Sequence, residues 1–339
     1  MTQAVKENKP ILFVLSIDTE EEWDWSGPFP QKQADIQNIV HIPEFHNLIT
    51  GLGIRPTYFV DYAVLETKES IENICRVKAQ DNCEIGAHLH PWCNPPYFEH
   101  VGEAESHVIN LPIDEVEKKL TALVDKIKTT TGVAPKSFRT GRWGIDGKVM
   151  NLLLQAGFNV DSSVYPYYEN EYFSCLGSPA TPYWPDLSDP LKTSSQNKMY
   201  EIPVTVGFNQ HNFELANTIH TMFTRSNLKW TRFNGLAWHT GLLRKNYLCP
   251  ELSSVRDMIN LCDMVIQKGY PVIHMYMHSS SLLNNNNNLL GQDNAFNHIC
   301  HSIEQVINHL KAHYEIEFCT ISEAAQKMQS QQRNKQNEV

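Results

Sequence analysis

The chain has 339 residues, 41% hydrophobic and 19% charged, a globular composition that suits one large α/β barrel or two ordinary domains. Its 38 acidic residues outnumber 28 lysines and arginines, for a net charge of −10 without any basic run, which argues against a nucleic-acid or anionic-membrane surface. No stretch has the roughly 18 apolar residues of a membrane-spanning helix or the pattern of a signal peptide, and eight cysteines without a C-x-x-C pair suit reduced cytoplasmic thiols better than a cysteine metal site.

Residues 11–17 are an apolar run that reads as a first strand, with Leu12, Val14 and Ser16 on the face that leads to Asp18. Ile42, Phe45, Leu48, Ile49 and Leu52 then recur at helical spacing, and Gly51 and Gly53 mark the stop. A second strand over 56–60, a helix over 71–79 and a third strand over 83–89 lead into a proline-rich loop, 91–110. Ile113, Val116, Leu120, Leu123, Val124 and Ile127 make a helix opened by Asp114 and Glu115 and closed by Gly132. A strand at 137–139, a helix at 148–155 and a strand at 158–162 follow. Region 165–250, rich in aromatics and prolines with one good strand at 200–206, reads as an elaboration between barrel elements. A helix (255–268), a strand (270–277), a helix (295–313) and a last strand (316–319) precede Thr320-Ile321-Ser322-Glu323, a capping box for a final helix. The asparagine run 284–288 reads as loop, 329–339 as a disordered tail, and no internal repeat is visible. Strand and helix alternate throughout, which predicts a single domain over 1–328, a distorted parallel (β/α) barrel of about seven strands.

Two strand ends carry the chemistry. Residues two apart on a strand share a face, so Asp18 and Glu20 aim two carboxylates one way, and His88 and His90 two imidazoles. These are the donors of a zinc-type site, and a parallel sheet gathers them at its carboxyl edge, where α/β enzymes keep their chemistry. Plainer readings exist. Five of the seven residues from Asp18 to Asp24 are acidic and could form a solvated loop, with Glu21 and Glu22 as loop charges. Either histidine could be a hydrogen-bonded core residue. Arg139 and Arg142 can hold a catalytic carboxylate ionised or orient a substrate oxygen, or form a structural bridge to which Asp161 is the partner. His274, Tyr276 and His278 share one face of a strand, with His278 at its end as the functional candidate. Trp92 offers a flat wall for a sugar ring or belongs to the core, and Tyr165, Tyr167, Tyr168, Tyr172 and Phe173 pose the same choice.

The order of these segments resembles the polysaccharide deacetylase (NodB-homology) superfamily, carbohydrate esterase family 4. The resemblance rests on Ser16-Ile17-Asp18, Gly53-Ile54-Arg55-Pro56-Thr57-Tyr58-Phe59-Val60, Glu84-Ile85-Gly86-Ala87-His88, Phe138-Arg139-Thr140-Gly141-Arg142, Asp161-Ser162-Ser163 and Met275-Tyr276-Met277-His278. Asp18-Thr19-Glu20-Glu21-Glu22-Trp23-Asp24-Trp25, Leu89-His90-Pro91-Trp92, Arg139-Thr140-Gly141-Arg142-Trp143-Gly144 and His278-Ser279-Ser280 narrow it to the WalW-like, lipopolysaccharide-biosynthesis branch. The resemblance implies Asp18 as general base, His278 as the acid for the leaving group and Arg139 in the arginine motif. Arg142, Trp143, Trp92 and Asp161 become substrate-binding candidates. The metal motif departs from the family's: Thr19 stands where a second aspartate binds metal, and Trp92 stands where a second histidine should. His90 comes two residues early, so pleat geometry nominates Glu20, His88 and His90 as an altered ligand set.

The function expected is a cytoplasmic hydrolase that removes an N-acyl group, acetyl first of all, from an amino sugar or surface-glycan precursor, using a divalent metal such as zinc. The alternatives are a metal-independent C–N hydrolase and a non-catalytic glycan-biosynthesis or carbohydrate-binding protein on a degenerate deacetylase scaffold. No nucleic-acid partner and no integral membrane segment are expected, and the oligomeric state stays open.

Overall fold

A computed structural model describes residues 9–23, 28–97, 102–225, 240–284 and 294–337. Strand β1 (Ile11–Thr19) is buried along nearly its whole length, which is why it reads as a continuous apolar run rather than an alternation. On one edge it pairs in parallel with β9 (Val272–His278), in a register that puts Asp18 opposite His278. The other edge is shared. Short β10 (Ile316–Phe318) takes its first residues, and β2 (Thr57–Val60) pairs from Ser16 onward. From β2 the ladder continues, parallel throughout, to β3 (Glu84–Leu89), β4 (Ser137–Thr140), β5 (Val160–Asp161) and β6 (Tyr200–Glu201). Seven strands thus run β9-β1-β2-β3-β4-β5-β6, the distorted parallel (β/α) barrel expected. Beyond β6 the wall meets β9: the Thr205 N–H donates to the His274 carbonyl (3.0 Å), and the His274 N–H donates to Thr205 Oγ1 (2.9 Å).

Helices α1 (Ile42–Gly51), α2 (Lys68–Lys78), α3 (Ile113–Thr131), α4 (Gly147–Gln155), α5 (Phe213–Arg225), α6 (Val255–Gln267) and α7 (Ala295–His313) cover the outside, and α8 (Ile321–Asn337) closes one end of the barrel. Their starts follow side-chain capping rules. Thr67, Asp146 and Ser254 accept from backbone N–H groups of α2, α4 and α6. Thr320 and Glu323 bond reciprocally ahead of α8, as the capping box predicts. Helix α8 buries Ile321, Ala324, Ala325 and Met328 against Leu12, Val14, Phe59, Val160 and Tyr200, filling the barrel beneath the strand ends that carry the chemistry.

The structure departs from the sequence reading in three places. The single strand over 200–206 is two: Pro203, with no N–H for a ladder, separates β6 from β7 (Val206–Phe208), which pairs antiparallel with β8 (Lys245–Tyr247). The polar segment expected to be a disordered tail continues α8 to Asn337. Helix α5 has no counterpart among the predicted elements. Asp24, Trp25 and residues 285–288 of the asparagine run lie outside the described residues.

Candidate active site

Asp18, next to last in β1, is 2% exposed. Its Oδ1 accepts from Arg139 Nη1 at 2.5 Å, and its Oδ2 lies 3.8 Å from His278 Nε2. Burial alone would raise this carboxyl, but Arg139, His88 and His278 hold it below its ordinary value. Arg139 is itself fully buried. Its remaining donors go to the Ser162 carbonyl, Ser162 Oγ and Ser16 Oγ, and its guanidinium lies over the Phe59 ring. It therefore positions Asp18 from behind and does not line the cavity. His274 completes this support, with Nε2 on Ser16 Oγ at 2.8 Å and Nδ1 on the Pro203 carbonyl; burial and Arg139 push its imidazole down to about 3.

His278, the next strand end, is clamped by Glu251: its backbone N–H and Nδ1 both meet that carboxylate, at 2.6 and 2.7 Å. Burial opposes charge on the ring, yet Glu251, Glu20 and Asp18 lift it to about 10. Asp18 ionised and His278 protonated stand side by side at neutral pH.

Glu20, His88 and His90 converge next to this pair, all but excluded from solvent. His88 Nε2 and His90 Nε2 lie 3.4 and 3.3 Å from the same atom, Glu20 Oε2. Each ring is oriented by its other nitrogen. His88 Nδ1 donates to the Arg139 carbonyl at 3.1 Å, and His90 Nδ1 donates to the Glu21 carboxylate at 2.9 Å. With Nδ1 occupied in this way, both Nε2 atoms are turned toward Glu20, the orientation that metal-binding histidines require. Donors held about 2.0–2.1 Å from a tetrahedral ion sit about 3.3 Å apart, so the three residues fit a divalent cation. Without an ion the acids act on His90: against the effect of burial, Glu21 and Glu20 raise its imidazole well above the usual range. An ion must displace that proton, which ties affinity to pH.

The surroundings hold this geometry rigid. Glu21, read from sequence as a loop charge, is fully buried and also accepts from Trp92 Nε1 at 2.5 Å. Asp61, just past β2, accepts from the Glu21 N–H and lies 3.9 Å from His90 Nδ1; burial and Glu21 raise its carboxyl well above the ordinary range. Lys119 donates to the carbonyls of Pro91, Asn94 and Pro96, each at 2.7 Å, pinning the loop after His90. At Gly141 a β-carbon would collide with the His90 ring and approach the Leu89 carbonyl oxygen to 2.7 Å, so only glycine lets the Arg139–Arg142 turn pass.

A cavity of about 340 Å³ opens over these groups, lined by Asp18, Glu20, His88, His90 and His278 below and by aromatic side chains above. Arg142 and Trp143, both at positive φ, are turned into its wall. Arg142 bonds Ser106 and Glu103 and lies over Trp23, and Trp143 stacks on Tyr165. Two substrate-binding candidates lie elsewhere. Trp92 is 1% exposed, stacked on His90 and packed on Trp23 and Phe29, because its indole N–H is drawn inward to Glu21; it supports a metal-ligand candidate rather than walling a cleft. Asp161 is not the partner of Arg139: its oxygens accept from Ser163, and it faces Glu201 across β5 and β6. Tyr165, Tyr168 and Phe173 line the cavity, whereas Tyr167 bonds Glu214 and Tyr172 stacks on His107.

Sequence reasoning missed Glu21, Asp61 and Glu251. Asp61 had a signal, an acid directly after an apolar strand, as at Asp18. Glu251 had none, since it lies in a loop 27 residues before its partner.

No protein-family model matches the sequence, and no curated protein matches it. Solved structures do match. A chain from Mycobacterium smegmatis designated a polysaccharide deacetylase superposes with a TM-score of 0.57 at 15% identity, covering 97% of this chain and 94% of that one. A chain from Parabacteroides distasonis designated a glycoside hydrolase/deacetylase gives 0.53 at 13% identity, covering 93% and 70%. At these identities the likeness is one of fold, and function has to be argued from the site.

Proposed function

We propose that this chain is a metal-dependent hydrolase of the polysaccharide-deacetylase type, removing an N-acyl group, acetyl first of all, from an amino sugar of a surface-glycan or lipopolysaccharide precursor. One observation carries the reading: Glu20, His88 and His90 turn a carboxylate oxygen and two ring nitrogens to one point, beside an ionised Asp18 and a protonated His278. Two titratable groups driven apart in opposite directions are the signature of an acid–base pair.

In this reading Asp18 accepts the proton of the attacking water. Arg139 keeps that carboxylate ionised and aimed, at the cost of some basicity. His278, held protonated by Glu251, donates to the departing amine. Glu20, His88 and His90 hold a divalent cation, zinc by donor type, which supplies Lewis-acid polarisation of the acyl carbonyl. Arg142 and the Trp143–Tyr165 stack contact the sugar. The lipopolysaccharide branch rests on the sequence motifs, and a cytoplasmic location on eight free thiols.

The test is metal content and hydrolysis together. Wild type should carry about one divalent ion per chain and release acyl groups from N-acyl amino sugars; His88→Ala/His90→Ala should do neither. Wild type that binds no metal and hydrolyses none of them, with added Zn²⁺, Mn²⁺ or Co²⁺, overturns the reading in favour of a non-catalytic glycan-assembly protein.

A further inference from the structure

The reacting groups lie at the bottom of a pit rather than along a groove. Asp18, Glu20, His88 and His90 are 2–3% exposed, while Arg142, Trp143, Tyr168 and Tyr247, which line the same cavity, are half-buried, and Asn170 and Leu252 at its mouth are open to solvent. Three separate parts of the chain build the wall: the turn after β4, residues 165–173, and β8 with the loop that follows it. They are locked to one another and to the barrel. Trp143 stacks on Tyr165 with centroids 4.6 Å apart and planes 12° apart, and Tyr165 and Tyr276 bond hydroxyl to hydroxyl at 2.5 Å. Tyr165 also packs on Tyr168 and Tyr247.

A cavity of about 340 Å³ is at the small end of ligand sites. An interior unit of a polysaccharide carries a neighbour on each side, and both would have to follow it down past this wall. His107 stiffens the same wall: it is 1% exposed, and its ring stacks on Tyr172 with centroids 4.9 Å apart and packs on Phe173 at 5.6 Å.

We infer that the site takes one N-acylated sugar unit at a time, free or at a chain end, and excludes chain interiors. The inference rests on the deacylase reading and narrows its substrate. The experiment offers metal-loaded wild type N-acetyl- and N-formyl-glucosamine, -galactosamine and -mannosamine. Short homo-oligomers of each sugar follow, with ends either free or chemically blocked. The expected result is hydrolysis of monomers and of at most one unit per free end, with kcat/KM for end-blocked oligomers lower by about 100-fold or more. Acyl release that grows in proportion to chain length, or that persists on blocked oligomers, overturns the inference and leaves the deacylase reading standing. No release from any monomer or oligomer overturns both.

Discussion

Asp18 and Asp161 sit at the ends of parallel strands in one sheet, and both are almost wholly withdrawn from water, yet their electrostatic fates are opposite. Asp18 faces Arg139 and two histidines and stays ionised well into acid. Asp161 faces another acid, Glu201; burial raises both carboxyls, and the two side chains hydrogen-bond to each other rather than to a cation. Arg139 divides them. Its side chain runs past the Ser162 carbonyl to reach Asp18, leaving Asp161 to Ser163. The strand end delivers a buried carboxylate; the charge of its neighbour decides whether that carboxylate can serve as a base.

The largest effect that could break this comparison is on turnover. Asp18→Asn keeps an acceptor for Arg139 but cannot take a proton, so kcat should fall by about 10²- to 10⁴-fold in a folded protein. Asp161→Asn should leave kcat within a few-fold; equal losses would mean that Arg139 does not separate the two acids. Next comes Glu21, whose carboxylate backs His90. Glu21→Gln should weaken metal affinity about 10- to 100-fold, measured by chelator competition. An unchanged affinity would return Glu21 to loop packing.

Glu251 sharpens the comparison on the acid side. The raised pKa of His278 means that its protonated form persists below about 10, while the stability gained from the pairing is full below the ordinary imidazole value of about 6.5 and is lost as pH rises from there to about 10. Glu251→Gln removes the largest charge that raises it, so the alkaline limb of the rate profile should move toward the ordinary imidazole value of about 6.5. At mildly alkaline pH the rate should drop about tenfold. A limb that does not move would show that His278 is not the acid.

Much of the barrel was legible because β1, β3 and β9 are buried on both faces and announce themselves as apolar runs, and because helix caps are local. The i, i+2 pairs at Asp18/Glu20 and His88/His90 were legible for the same reason: the pleat fixes where their side chains point. Glu251 was not, since its value arises only when the loop after β8 folds against the end of β9. Trp92 and Glu21 misled in opposite senses. An aromatic in a proline loop looks exposed and an acid among acids looks solvated, but each satisfies the other in the interior. Such pairings are tertiary and leave no periodicity to read.

The smallest predicted effect tests the other side of the comparison, where nothing catalytic is at stake. The Asp161–Glu201 pair has raised pKa values, so between the ordinary carboxylate range and those values the folded chain holds protons that the unfolded chain has released. Stability contributed by this pair is therefore greatest in acid and declines as pH rises. Glu201→Gln keeps the shape, retains an oxygen for the Val164 N–H that Glu201 Oε1 now accepts at 3.2 Å, and removes the titration. The variant should match wild type near pH 4 and gain at pH 8, by about 1 kcal/mol or more, visible as a rise of roughly 2 °C or more in Tm. Turnover should not change. A variant that loses stability at pH 8 would mean that Glu201 is ionised there and favourably paired, and the contrast with Asp18 would then lie in something other than the charge of its neighbours.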